Sequence, residues 1–298
     1  MPNYTSNLRL IKPLENEFYD INEHNSNMDI IDKVVSNPNL LDNPWFTINQ
    51  RGQSVYTTDG YCYDRWALDS ASVGSGGSVG GITLLARGDG YCGIRQKLDS
   101  LSNFIGAEMT FSVLDSSHHV HSMTFTCPNN GDPRVDRTFT LTNGVTWRFS
   151  IQANNGIWDL QIKNNTKNSS VFIAMKLELG SVSTLENDSA PNYAEELLKC
   201  QRYYQEIDSS LFNYYFYDLN QIWFIAPLSE QMRTSPSAIA KGTPNIRTGG
   251  SVQSGFTTTF SGNSVVSCIA KAVKNSHAIS NPALCNIHNA VIALSADL

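Results

Sequence analysis

Charge is scarce in this chain: Asp, Glu, Lys and Arg make up only 16% of its 298 residues, and the formal balance is −6. No Lys/Arg cluster breaks that scarcity, which argues against an electrostatic grip on phosphate backbones or anionic lipid. Neither a nucleic-acid partner nor insertion into a membrane is expected. No apolar run approaches the length of a bilayer span. Met1 to Leu10 hold no basic stretch followed by an apolar one, so no cleaved export signal is read there and synthesis in a cytoplasm is expected. Cysteine is thin as well: Cys62, Cys92, Cys127, Cys200, Cys268 and Cys285 form no Cys-x-x-Cys pair. That removes a zinc ribbon or a thioredoxin-like centre and leaves thiols packed as small apolar groups. No Gly-x-Ser-x-Gly elbow, His-Glu-x-x-His helix or phosphate-binding loop is expected to be at work in the chain. A glycosidase needs two carboxylates roughly 5–10 Å apart across a cleft. Asp64, Asp89, Asp115, Asp132 and Asp136 are available, but no motif fixes a pair. Neither enzymatic activity nor a cofactor is expected.

What is abundant is Asn, Ser, Thr, Gly and aromatic residues, a composition that suits short strands joined by many turns. Between Asn39 and Gly180 nine strands are predicted, from Cys62–Leu68 to Val171–Leu179, enough for a β-sandwich. In the last of them Ile173, Met175, Leu177 and Leu179 alternate with Lys176 and Glu178, which predicts one dry and one wet face. Gly74 to Gly81 reads as a loop and Asn129-Asn130-Gly131-Asp132-Pro133 as a turn.

Residues 1–37 are acidic and carry one short helical pattern. Ser26 followed by Asp29 reads as its capping box, with Met28, Ile31, Val34 and Val35 on one face. A second helix is predicted to open on Asn192, with Tyr193, Leu197, Cys200 and Tyr204 as its stripe. Beyond it, Tyr214–Tyr217, Ile222–Ala226, Phe256–Phe260, Val265–Val273 and Val291–Leu294 read as strands of a smaller β-domain. The expected architecture is therefore mostly β: a sandwich over 38–190, a linking helix and second β-domain over 191–298, and a short N-terminal segment over 1–37 with one helix.

Several strings resemble bacteriophage and prophage tail-fibre or receptor-binding proteins. Leu10-Ile11-Lys12-Pro13-Leu14 and Asn25-Ser26-Asn27-Met28-Asp29 look like their tail or baseplate attachment segment. Asn39-Leu40-Leu41-Asp42-Asn43-Pro44-Trp45-Phe46, Asn49-Gln50-Arg51-Gly52-Gln53 and Gly60-Tyr61-Cys62-Tyr63-Asp64-Arg65-Trp66 are similar to the opening of their carbohydrate-binding-module-like jelly rolls. Lys176-Leu177-Glu178-Leu179-Gly180 followed by the Asn192 helix resembles the junction into their receptor-facing domain. Met232-Arg233-Thr234-Ser235-Pro236 and Ala293-Leu294-Ser295-Ala296-Asp297-Leu298 resemble the middle and end of that domain. The resemblance implies a jelly-roll fold, a homotrimer attached through residues 1–37 to other tail or baseplate proteins, and assembly in a bacterial cytoplasm into a virion tail or tail-like particle. It also implies non-catalytic, multivalent attachment to bacterial surface polysaccharide. A glycan depolymerase, a structural fibre-joining protein and an adhesin outside any phage are the alternatives.

Flat aromatic faces stack on pyranose C–H faces, and planar amides and guanidinium groups pair with sugar hydroxyls. On that chemistry Phe212, Tyr214, Tyr215, Tyr217 and Trp223 of the distal part are candidate glycan contacts, with Trp45, Asn49 and Arg51 of the proximal part. Phe216 belongs to the same dense run. Arg51 with Asp64 has the structural alternative of an ion pair fixing the first strands. Trp147 and Trp158 are expected in the core. His119 and His121 form a metal-like pair on one strand face without a third ligand, so no metal is expected.

Overall fold

The computed structural model describes residues 3–6, 10–13, 18, 20–87, 91–99, 101–189, 191–208, 212–218, 221–248, 251–274, 285–288 and 290–297, with the side chains of 3, 32–34, 213–218, 248, 251, 285–286 and 288 outside that description. The N-terminal part contains β1 (Asn3–Tyr4), β2 (Ile11–Lys12) and helix α1 (Ile21–Val34). The next part contains β3 (Val55–Tyr56), β4 (Gly60–Tyr61), β5 (Ala67–Asp69), β6 (Ala71–Ser75), β7 (Ile82–Ala86), β8 (Cys92–Leu98) and β9 (Glu108–Asp115). It continues with β10 (Val120–Thr126), β11 (Val135–Thr140), β12 (Thr146–Asn154), β13 (Ile157–Asn164) and β14 (Ser170–Leu179). After helix α2 (Tyr193–Gln201) come β15 (Tyr204–Asp208), β16 (Asn213–Asp218), β17 (Gln221–Pro227), β18 (Ser237–Lys241) and β19 (Asn245–Thr248). The chain closes with β20 (Ser251–Gln253), β21 (Thr257–Asn263), β22 (Ser267–Val273), β23 (Cys285–His288) and β24 (Val291–Ser295).

Two six-stranded antiparallel sheets, ordered β10-β9-β14-β7-β6-β3 and β11-β12-β13-β8-β5-β4, form the sandwich. Neighbours distant in sequence, β9 beside β14 and β8 beside β13, give it jelly-roll-like connections between sheets. Period-two alternation decides what each strand buries. On β13, Trp158, Leu160 and Ile162 point inward while Asp159, Gln161 and Lys163 point out. The sheets meet through rings such as Phe111 and Phe149, stacked 4.5 Å apart. Trp147 and Trp158 are buried as expected, and each indole N–H finds an acceptor, Ser170 Oγ at 3.0 Å and the Pro128 carbonyl at 2.9 Å.

Several expectations change. The strand predicted over 62–68 is a turn through Asp64 and Arg65 followed by β5, because Arg65 takes a positive φ of 72° that no strand tolerates. The glycine-rich segment at 74–81 is the end of β6 and a hairpin turn into β7, not a loop throughout. Gly81 is required there: at φ +70° its backbone presses on β14 so closely that a Cβ would lie 2.0 Å from the Phe172 carbonyl oxygen. A bulge between Phe172 and Ala174 shifts β14, bringing Phe172, Met175 and Leu177 into the core. The face predicted wet is dry: Lys176 and Glu178 are fully buried under residues 35–37 and 181–188, while Leu179 is exposed. Lys176 Nζ donates to Ser36 Oγ at 2.8 Å, Thr184 Oγ1 at 2.9 Å and Asp188 Oδ1 at 2.6 Å.

Helix α1 starts earlier than its predicted capping box, because Asp20 is the N-cap and accepts from the Asn22 N–H at 2.8 Å. Helix α2 opens on Asn192 as predicted, but its buried side is Glu196 and Cys200, and Tyr193 is exposed. The smaller β-unit packs three short sheets, β15-β24-β18, β16-β17-β22-β21 and β20-β19-β23, around Phe212, Phe224, Met232, Ile246, Phe256 and Leu294.

Charged side chains lock the two units together. Arg51 spans Asp64 at 3.1 Å and Asp297 at 2.7 Å, with its guanidinium 3.7 Å from the Tyr204 ring centroid. Gln50 Nε2 donates to Asp64 Oδ2 at 2.7 Å and to the Tyr204 carbonyl at 2.8 Å. Arg65 stacks 3.4 Å from the Tyr203 ring centroid and donates to Asp42 at 2.9 Å. From α2, Glu196 accepts the Asn43 N–H at 2.5 Å. Burial raises the Asp64 carboxyl to about 6, against the hydrogen bond from Gln50 and the charge of Arg51.

Candidate functional site

The outward face of the sheet β11-β12-β13-β8-β5-β4 gathers a dense set of polar and charged side chains still partly open to solvent. Asp69 on β5, Arg95 and Lys97 on β8, and Asp159, Gln161 and Lys163 on β13 all lie on it, half-buried. Their order follows from register: Ala67 and Gln161 flank Arg95, Asp159 lies opposite Lys97, and Gly93 separates Asp69 from Lys163. Two tyrosines border this ladder. Tyr91 donates to Asp69 Oδ1 at 3.0 Å, with Lys163 Nζ 4.6 Å from its ring centroid. Tyr61 lies at the other side, opposite Ala67 in the β4–β5 pair, and lines a hollow of about 70 Å³ with Gly60, Ala67, Arg95 and Lys97.

The ladder is held by its own partners. Gln161 Nε2 donates to Asp69 Oδ2 at 2.8 Å, and Lys163 Nζ lies 3.6 Å from the same oxygen. Arg95 Nη1 is 3.8 Å from Asp159 Oδ2, a long ion pair. It leaves Arg95 Nε and Asp159 Oδ1 buried without hydrogen-bond partners. Burial raises the Asp159 carboxyl, opposed by Arg95, Lys97 and Lys163. The Tyr91 hydroxyl is raised by its hydrogen bond to Asp69, and Tyr61 is pushed up to about 12 by burial and then by the Asp297 charge. A face of planar amide, guanidinium and carboxylate groups between two phenol rings presents paired donors and acceptors with an apolar surface at each side.

The residues expected from sequence fall elsewhere. Phe212 is a core residue stacked 4.8 Å from Phe224, which corrects its expected role at an exposed rim. The side chains of Tyr214, Tyr215, Phe216 and Tyr217 lie outside the described residues. Trp223 is half-buried with Lys271 Nζ 5.3 Å from its ring centroid. Trp45 is half-buried in a separate hollow of about 250 Å³ with Leu41, Pro191 and Lys199. Arg51 is committed to the junction, and Asn49 to its own turn, where it accepts the Gly52 N–H at 3.1 Å and donates to the Gln53 carbonyl at 2.9 Å. Both differ from the expected sugar contacts: Arg51 makes the ion pair that was its structural alternative, and Asn49 makes these bonds within its own turn.

His121 Nε2 meets Asp115 Oδ2 at 2.9 Å, and His119 Nδ1 meets Thr142 Oγ1 at 3.2 Å. His119 precedes β10 rather than lying within it. Burial alone would raise the Asp115 carboxyl, but hydrogen bonds from Thr142, His121 and the His119 backbone hold it well below the usual carboxylate range. Gly76-Gly77-Ser78-Val79-Gly80 has the spacing of a serine-nucleophile elbow, which corrects the expectation that the chain holds no such string. It forms a hairpin turn between β6 and β7, without the strand-to-helix step an elbow requires.

What sequence reading missed is Tyr91 and the Arg95/Asp159/Gln161/Lys163 set. Their signal was alternation on β8 and β13, Arg95-x-Lys97 and Asp159-x-Gln161-x-Lys163, visible once the register of the two strands is known.

No protein-family model matches the chain, and no curated protein matches it. Among solved structures, the N-terminal CBM22-1-CBM22-2 tandem domain of Paenibacillus barcinonensis Xyn10C is similar over 88% of this chain and 91% of its own, at 8% identity and a TM-score of 0.25, a level of likeness that leaves the fold assignment resting on the sheets themselves.

Proposed function

We propose that this chain is a non-catalytic glycan-binding protein, of the kind with which tail fibres and tail-like particles hold bacterial surface polysaccharide. The observation that carries the reading is the polar ladder of β5, β8 and β13 bordered by Tyr61 and Tyr91. Saccharides are gripped by planar hydrogen-bonding side chains together with aromatic faces, and this face offers both on rigid strands. Its two carboxylates are engaged within the ladder, Asp69 by Gln161 and Tyr91 and Asp159 by its long pair with Arg95.

The tail-fibre part of the proposal is supported by the sequence strings at the N-terminal segment, the sandwich opening and the α2 junction. On that reading residues 1–37 join other tail or baseplate proteins, a homotrimer presents three faces, and weak single contacts add up because each later one is intramolecular. The test is retention of the purified chain on surface polysaccharides from a panel of bacteria, with new reducing ends counted in the same tubes. Retention without new ends, weakened by Tyr91→Ala, is expected. New reducing ends would replace this reading with a depolymerase, and the absence of retention across the panel would replace it with a structural fibre joint.

A further inference from the structure

Resting on that glycan-binding reading, we infer that the hollow between Tyr61, Ala67, Arg95 and Lys97 receives the anionic substituent of an acidic sugar residue. Arg95 and Lys97 are alternate residues of β8, so both project from the same face about 6–7 Å apart. Ala67 lies opposite Arg95 and Tyr61 opposite Ala67, so a small residue forms the floor and a ring forms the far wall. The space of about 70 Å³ is too small for a pyranose but admits a carboxylate, leaving the sugar ring at the mouth beside Tyr61.

Charge favours an anion. Of the carboxylates near the hollow, Asp297 is spent on Arg51, and Asp159 meets Arg95 only at 3.8 Å. Lys97 has no carboxylate within ion-pair distance among the described residues, although Asp159 lies opposite it in the strand pair. Arg95 lines the hollow, and its Nε is buried with no hydrogen-bond partner, so the guanidinium is not fully spent within the fold. A ligand oxygen between Arg95 and Lys97 makes charge-assisted bonds of the strong kind.

The test is NMR titration of the full chain with D-glucuronate, its methyl ester, glucose 6-sulfate, glucose and acetate, followed at the Arg95 Nε–H and the Tyr61 ring. Glucuronate should shift both signals, with the methyl ester and glucose about tenfold weaker, as expected for loss of one charge-assisted hydrogen bond. The paired variant Arg95→Gln/Lys97→Gln should remove the glucuronate response while leaving the melting temperature unchanged. Equal strength for glucose 6-sulfate supports an anion site that accepts sulfated as well as uronic sugars; a weak sulfate response assigns it to uronic acids. Equal response to acid and ester, shifts confined to other residues, or acetate as strong as glucuronate overturns the inference. If polysaccharide retention persists in the paired variant, the acidic-sugar inference fails and the glycan-binding reading stands; if no polysaccharide is retained and glucuronate shifts nothing, both fail.

Discussion

On β14, Lys176 and Glu178 point away from the sandwich core; on β13, Asp159, Gln161 and Lys163 do the same. The first pair is sealed under residues 35–37 and 181–188, where Lys176 is bonded to Ser36, Thr184 and Asp188, and Glu178 accepts the Thr184 N–H at 2.8 Å. The second set remains partly open to solvent. The same alternating pattern therefore serves as an internal fastener on one side of the molecule and as a candidate binding face on the other. What separates them is coverage: a sheet face is wet or dry according to which distant segment folds over it, and a buried ion pair is tolerated only where further hydrogen bonds satisfy it.

The strongest test of that contrast is Lys176→Ala. It leaves Glu178 and Asp188 without their cation, and a loss of about 3–5 kcal/mol is expected in denaturant unfolding. Lys163→Ala on the open face should cost no more than about 1 kcal/mol in the same assay. Equal losses would erase the distinction between the faces.

The junction extends the comparison to a second buried set. Arg51→Ala strands Asp64 and Asp297, and a loss of about 2–4 kcal/mol is expected. The two units should then melt at separate temperatures in calorimetry, whereas a single unchanged transition would show that Arg51 does not couple them.

Asp64 adds a pH signature of comparable or smaller size. Its carboxyl is raised to about 6 in the fold, so the native state binds this proton more tightly than the unfolded chain does. The stabilising contribution is fully present below about pH 4 and is lost as pH rises to about 6, on the order of 2–3 kcal/mol. Asp115 acts with the opposite sign: its lowered carboxyl stabilises the fold above the unfolded value and loses that contribution in stronger acid. Urea midpoints measured across this range should show Asp64→Asn flattening the upper slope and leaving the acid limb intact.

The smallest effect is on binding. Tyr91→Ala should weaken polysaccharide retention by about 0.5–1.5 kcal/mol, the worth of one stacking ring, with unfolding changed little. Unaltered retention would move the binding face away from β5, β8 and β13.

Alternation and turn chemistry made much of the sandwich legible. Ile82–Ala86 was predicted with its observed bounds, and β10, β13 and β14 to within a few residues, because one buried face imposes a period of two. The short strands β3 and β4 escaped notice because two residues carry no period. Little of the candidate face was legible. Arg95 and Asp159 are far apart in the chain and meet only through the β8–β13 register, and the aromatic-rich distal run that drew attention instead places Phe212 in a core.

Composition and local pattern by themselves determined that this is a mostly β chain, that Asn192 opens a helix, and that Trp147 and Trp158 lie inside. Each is settled by neighbours a few residues away or by the free energy of burying an indole. Only the tertiary structure decided that Arg51 bridges Asp64 and Asp297 across the two units, that Lys176 is buried while Lys163 is half-open, and that Tyr61 shares a hollow with Arg95 and Lys97. Those outcomes depend on which remote strand pairs with which and which loop covers which face, and a residue's own sequence neighbourhood carries no energy term for either.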